Sequence, residues 1–332
     1  MKFIPLIEYT RGDLSEIVHS GAIAVVNAQG LLLRNAGDAQ ALSFTRSTIK
    51  PFQALPFLQG GGLKHFGFDQ KQTALLCASH NGEDMHVAQV DEMLRKVGQP
   101  TKALLCGCHV PLRFSYGGLG APEGLQFDER HNNCSGKHTG FLGYCVQHGH
   151  SLSNYLAPEH PLQQAIFKSV MQATKADTTQ LIAGTDGCSA PNYAMPLHNL
   201  AYGFARLASG EADSELGESF SILRDAFVAH PEMISGTARN DLAFTQAGRG
   251  DWITKIGADG VQVIASISRR EAIAIKMISG NMPALYAAAV IAMDQVGWLD
   301  AQQREALKAW APQPLLNVRG IQTGEIRAVF TL

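Results

Sequence analysis

The sequence predicts an α+β protein in which an antiparallel sheet is built from both ends of the chain and a helical region is inserted between them. Residues 6–36 alternate short apolar runs with turn residues, runs of the same kind return after residue 250, and the stretch between carries helical spacing. A chain of 332 residues can bury a large core. The expectation is one discontinuous unit over 1–332, with 1–40 and 250–332 as a sheet lobe and 41–249 as a mainly helical lobe.

Taken in order, Leu6 to Tyr9, Ser15 to Val18, Ala22 to Asn27 and Leu31 to Arg34 read as strands. Arg11-Gly12-Asp13, Ser20-Gly21 and Gln29-Gly30 separate them at hairpin spacing. Helices are expected at 47–59, 69–77, 84–97, 138–149, 161–175, 196–209 and 218–229, several closed by glycines such as Gly98, Gly149 and Gly210. Polar, glycine-rich loops lie between them at Ser79-His80-Asn81-Gly82, from Cys106 to Asn133, and at Gly184-Thr185-Asp186-Gly187-Cys188. Loops presented by a rigid scaffold are where chemistry is expected. Residues 253–257 and 261–268 then read as strands around Ala258-Asp259-Gly260, with a third strand from Glu271 to Ile278. A small-residue helix from Pro283 to Val296, a short helix near 301–309 and a strand from Gly324 to Phe330 complete the chain.

Net charge is −2 and no basic run stands out, which argues against nucleic acid or an anionic membrane surface as partner. Met1-Lys2-Phe3-Ile4-Pro5 leads directly into charged residues, with no apolar segment of a signal peptide. The longest apolar stretch, Met282 to Met293, is shorter than the roughly 20 residues a bilayer span needs. A cytoplasmic enzyme is the expectation. On that basis the six cysteines read as buried thiols or metal ligands and not as a disulfide framework.

The stretch Arg46-Ser47-Thr48-Ile49-Lys50-Pro51 places a serine three residues before a lysine at the expected start of a helix. Serine is a poor nucleophile until a base takes its proton, and a lysine left neutral by burial or a neighbouring cation can be that base. Free N–H groups at a helix start would also steady an oxyanion. Most Ser-x-x-Lys pairs are solvated helix surface, so context decides. Ser79-His80-Asn81 and Lys255-Ile256-Gly257 follow in the order Ser-x-x-Lys, Ser-x-Asn, Lys-x-Gly used by serine β-lactamases and penicillin-binding proteins. Ser279-Gly280-Asn281 and Lys96-Val97-Gly98 compete for the two later places, Lys96 reading as a cation near a helix C-terminus.

His131-Asn132-Asn133-Cys134-Ser135-Gly136-Lys137-His138 and Asp186-Gly187-Cys188 form a second constellation. Two distant cysteines beside histidines and an aspartate are either a zinc site or two reduced thiols, and Cys106-Gly107-Cys108-His109 competes with them. Ligand chemistry alone favours a histidine over a lysine as third donor, since lysine must first lose its proton. Arg239-Asn240-Asp241, after Ser235-Gly236-Thr237, reads as a helix start or a domain contact, and Trp298 and Trp310 as core anchors.

These segments together resemble the rhizobial-type (class 3) L-asparaginases, and the resemblance spans nearly the whole chain. Asn132-Asn133-Cys134-Ser135-Gly136-Lys137-His138 is its most specific string. The resemblance implies a fold similar to that of serine β-lactamases and glutaminases. It implies hydrolysis of the side-chain amide of L-asparagine by two Ser-Lys tandems, Ser47 with Lys50 and Ser79 with Lys255. It further implies a zinc ion on Cys134, Lys137 and Cys188, so that the lysine replaces the histidine favoured above. Asp186 would lie beside the metal facing substrate, and Arg46, His80 and His138 match neighbouring pocket positions. A homodimer is the expected assembly. A glutaminase, a β-lactamase-like hydrolase and a non-catalytic zinc-stabilised binding protein are the alternatives.

Overall fold

The computed structural model describes every residue except Met1, Gly117 and Leu119, so the expected 106–133 loop is described apart from two positions. The chain divides into two compact units. The first comprises Met1–Thr48, Ala194–Ala208 and Ala243–Leu332, and the second Ile49–Tyr193 and Ser209–Leu242.

The strands are β1 (Ile4–Arg11), β2 (Leu14–Asn27), β3 (Leu32–Ala36), β4 (Leu42–Phe44), β5 (Ile182–Thr185), β6 (Pro191–Pro196), β7 (Trp252–Gly257), β8 (Val261–Ser266), β9 (Glu271–Met277), β10 (Pro314–Leu316) and β11 (Gln322–Ala328). In the first unit an antiparallel sheet runs β10-β11-β1-β2-β9-β8-β7, with β3 also on β2. The first and last long strands are neighbours, Ile7 opposite Ala328 and Tyr9 opposite Ile326. The sheet is therefore built from both ends of the chain, as expected, and the class is α+β.

The helix Met282–Gln295 packs its alanines on this sheet. Ala284, Ala287, Ala288, Ala289 and Ala292 are all buried, and small side chains let the backbone approach Ile23, Ile273 and Ile275 closely. Each Ile or Leu so covered contributes about 1.5–3 kcal/mol. Asn281 starts the helix by accepting a hydrogen bond from Ala284 N at 2.9 Å.

One expected turn is absent. β2 runs unbroken through Ser20-Gly21, because Gly21 serves close packing within the sheet: a Cβ there would lie 2.2 Å from Lys276 O and 2.7 Å from Leu6 Cδ1. The strands β4, β5 and β10 are too brief for alternation to register, and β6, six residues long, is buried on both faces, begins and ends in proline and shows no alternation.

The second unit is helical. Lys50–Gln59, Gln70–Leu76, Asp84–Val97, Ser135–His148, Pro161–Thr174 and Gly217–Ala229 are its main elements. Asp69 and Gln72 close a reciprocal cap on the second, and Gly98 and Gly149 end the third and fourth in the left-handed conformation. Gly136, Gly140 and Gly143 let Ser135–His148 press against its neighbours. A Cβ at Gly136 would lie 2.3 Å from Leu75 O, one at Gly140 2.6 Å from Leu76 Cδ2, and one at Gly143 2.7 Å from Phe57 Cε2. Among the described residues no helix is long and apolar enough to cross a membrane.

Candidate active site

Ser47 does not begin an α-helix. Arg46–Ile49 form a 3₁₀ turn and the α-helix starts at Lys50, with no side-chain cap from Ile49. The reason is Pro51: an α-helical bond to Ser47 O would need the N–H of residue 51, which proline lacks. Thr48 instead closes the turn on Thr45 O, through its backbone N at 3.1 Å and its hydroxyl at 2.6 Å.

Within the first unit β7 lies along this turn. A Cβ on Gly257 would sit 3.0 Å from Thr45 O and 3.2 Å from Arg46 Cβ, which explains the glycine after Lys255-Ile256. Lys255 is fully buried and donates to Ile256 O at 2.8 Å. Arg46 adopts a left-handed backbone (φ 49°) and pairs with Asp259 in the β7–β8 turn.

In the second unit Lys50, buried, donates to Ala78 O and lies 2.9 Å from Ser79 Oγ. The first lysine of the motif series thus meets the second serine. Ser79 and Asn81 are held by backbone bonds to Ile234 O and Ser235 O, both at 2.8 Å. Buried Arg239 donates to Asn81 Oδ1 at 2.8 Å and to Ser79 O at 3.5 Å. Glu83 Oε1 accepts from Asn81 Nδ2, Thr237 N and Thr237 Oγ1 at 2.8–2.9 Å. Gly236 (φ 104°) lies so close that a Cβ would stand 2.7 Å from Glu83 Oε1 and 2.9 Å from Asn81 Cβ. His80 is fully buried, and burial pushes its ring well below the usual histidine range.

Cys134 directly precedes the helix that carries Lys137 and His138. Cys188 lies in the turn between β5 and β6, which Asp186 N closes on Ala190 O at 2.9 Å. Lys137 Nζ reaches Cys188 Sγ at 3.1 Å. A hydrogen bond from Cys134 holds Cys188 far below the usual thiol range, aided by Lys137 and His138, and the same bond raises Cys134. Burial alone would lower Lys137, but the Cys188 thiolate, Cys134 and Asp186 raise it. Burial pushes His138 down to about 4.

Two buried thiols with a lysine nitrogen beside them are the side chains here that could hold a metal, Lys137 only once its ammonium has lost a proton. Tyr155 Oη accepts from Leu105 N at 2.8 Å and lies 2.8 Å from His138 Nδ1. His138 Nε2 is buried, with Cys188 close enough to act on the ring, and meets no partner at hydrogen-bond geometry. The competing cluster does not converge. Cys108 is exposed, and His109 is engaged with Val110 O at 2.7 Å and Asn133 Oδ1 at 3.1 Å. Among the described residues no three His, Cys, Asp or Glu side chains gather into a metal-holding group.

Arg239, Glu83 and Tyr155 are the supporting residues that sequence reasoning left without a role at the site. Arg239 meets Asn81 across 158 residues and Glu83 meets Thr237 across 154, separations that no local pattern marks. The helix start expected at Arg239-Asn240-Asp241 is present as Asn240–Ala247.

No curated protein matches the sequence. Among solved structures, a β-lactamase from Mycobacterium bovis is similar at 11% identity, covering 88% of this chain and 95% of that one with a TM-score of 0.33. The L-asparaginase II family, by contrast, matches residues 7–328, almost end to end and across every motif described above, and the chain belongs to that family.

Proposed function

We propose that the protein hydrolyses the side-chain amide of L-asparagine to L-aspartate and ammonia through a serine acyl-enzyme. The reading is carried by the buried 2.9 Å hydrogen bond between Lys50 Nζ and Ser79 Oγ in a member of the L-asparaginase II family. A serine oxygen attacks the carboxamide carbon as its proton passes to a lysine amine. The C–N bond breaks, ammonia leaves with that proton, and water hydrolyses the β-aspartyl ester to restore the serine.

Ser47 is the proposed nucleophile on the Ser-x-x-Lys pattern, with Lys50 as base and Ser79 and Lys255 as the second pair. The Lys50–Ser79 bond favours a second reading in which Ser79 attacks and Lys50 is its base. Arg46, His138 and Asp186 are the proposed pocket residues. Cys134, Lys137 and Cys188 would hold zinc, which when bound supplies a positive centre for the amino-acid end of the substrate. The proposed assembly is a homodimer, checked by light scattering.

Ammonia release from L-asparagine, run beside L-glutamine and a chromogenic β-lactam, tests the reading. Turnover on asparagine that disappears in Ser47→Ala and Ser79→Ala supports it, and trapping the acyl-enzyme names the nucleophile. No turnover by the zinc-loaded protein, together with unfolding on chelation, would favour a zinc-stabilised binding protein. Cys188→Ala should raise KM more than it lowers kcat, and the opposite pattern would remove the substrate-orienting role.

A further inference from the structure

The hydrogens of one buried chain follow from the backbone. Gly82 N–H donates to His80 Nδ1 at 3.1 Å, so that nitrogen holds a lone pair. The neutral ring then carries its proton on Nε2, which lies 2.9 Å from Ser135 Oγ. The Ser135 hydroxyl donates in turn to Arg130 O at 2.8 Å. Donation runs one way, from Gly82 through His80 and Ser135 to Arg130, and each step has its acceptor. Neither His80 nor Ser135 exposes any surface.

Stacking fixes the plane of the ring, and the two hydrogen bonds fix which edge faces Gly82 and which faces Ser135. His80 stacks on His86 with centroids 4.9 Å apart and planes 12° from parallel. His86 is itself held, accepting from Glu83 N at 3.2 Å on Nδ1 and facing Glu232 O at 3.0 Å with Nε2. Gly82 keeps the donor in place: it is left-handed (φ 69°), and a Cβ there would lie 2.8 Å from His131 O.

With both ring nitrogens committed, the His80 side chain has no polar atom left for a substrate. What it does is join two segments. His80 N donates to Asn133 O at 3.2 Å, and its ring reaches Ser135 at the first residue of the helix that follows Cys134. Its chain neighbour Ser79 is the residue on Lys50. Resting on the serine-hydrolase reading, we propose that His80 is a positioning residue, a neutral crosslink through Ser135 that fixes the Ser79 hydroxyl against Lys50.

Two measurements test this on the intact, metal-loaded protein. Nitrogen-15 NMR of the histidine rings at pH 7 should show His80 as the Nε2–H tautomer, and a proton on Nδ1 would overturn the crosslink. In steady-state kinetics on L-asparagine, His80→Ala and Ser135→Ala should each lower kcat by roughly ten- to a hundredfold with KM within about twofold. His80→Gln, whose amide nitrogen can stand where Nε2 stood, should recover most of that loss. His80→Asn, which cannot reach Ser135, should not. A raised KM with unchanged kcat would instead make His80 a substrate contact and sink the proposal. If His80→Ala does not fold, Ser135→Ala carries the kinetic test. If the wild-type protein turns over no amide, the hydrolase reading fails, and the NMR result still decides the crosslink.

Discussion

The chain contains the pattern Ser-x-Asn twice in play, and the two copies have opposite fates. Ser79-His80-Asn81 is buried, with Lys50 on its serine and Arg239 and Glu83 on its asparagine. Ser279-Gly280-Asn281 is an exposed helix entry. Its asparagine caps Ala284 N at 2.9 Å and accepts from Tyr9 Oη at 3.1 Å, and its serine takes Asn281 N at 3.3 Å and pairs with His19 Nδ1 at 2.9 Å. The same side chains do local capping in one place and long-range assembly in the other. The two Lys-x-Gly strings divide likewise: Lys96 bonds Gly67 O and Gln72 Oε1 near a helix end closed by Gly98, whereas Lys255 is buried in β7.

Substitutions at matched positions sharpen this contrast. The largest difference is expected in turnover. Ser79→Ala should cost about 10³-fold in kcat, while Ser279→Ala should leave kcat within about twofold. Equal losses in the ammonia assay would erase the distinction. In stability, Gly236→Ala should cost about 3 kcal/mol, combining the left-handed penalty with crowding against Glu83 and Asn81. Gly280→Ala should cost only about 1 kcal/mol, because its φ of 68° is strained but a Cβ there meets nothing nearer than 3.6 Å. Urea midpoints compare the two.

Arg239→Met should follow at about 2 kcal/mol, since it leaves the buried Asn81 Oδ1 without that donor, and should reduce kcat with it. A stable, fully active variant would show that Arg239 does not support the loop. The smallest effect is expected for Asn281→Ala, about 1 kcal/mol for a lost cap, with kinetics unchanged.

Local features are legible in the sequence. The helices at 84–97 and 161–175, the left-handed glycines that close helices, and the strands around Asp259 all follow from patterns within a few residues. Gly21 shows where that reading stops. A glycine beside a serine looks like a turn, but the atoms that require it, Lys276 O and Leu6 Cδ1, come from other strands. Ser47 shows a limit of another kind: Pro51 sits where a helix start tolerates it, yet its missing N–H moves the start past the serine.

The sequence by itself determined the α+β class, the order of the motifs and the residue types that could do the chemistry, because spacing along a strand or helix is set by backbone geometry. Only the tertiary structure decided that Lys50 meets Ser79, that both nitrogens of His80 are already spent, and that Arg239 stands behind Asn81. Each of those outcomes depends on burying polar atoms that must find partners, and the partners are supplied by packing between distant segments.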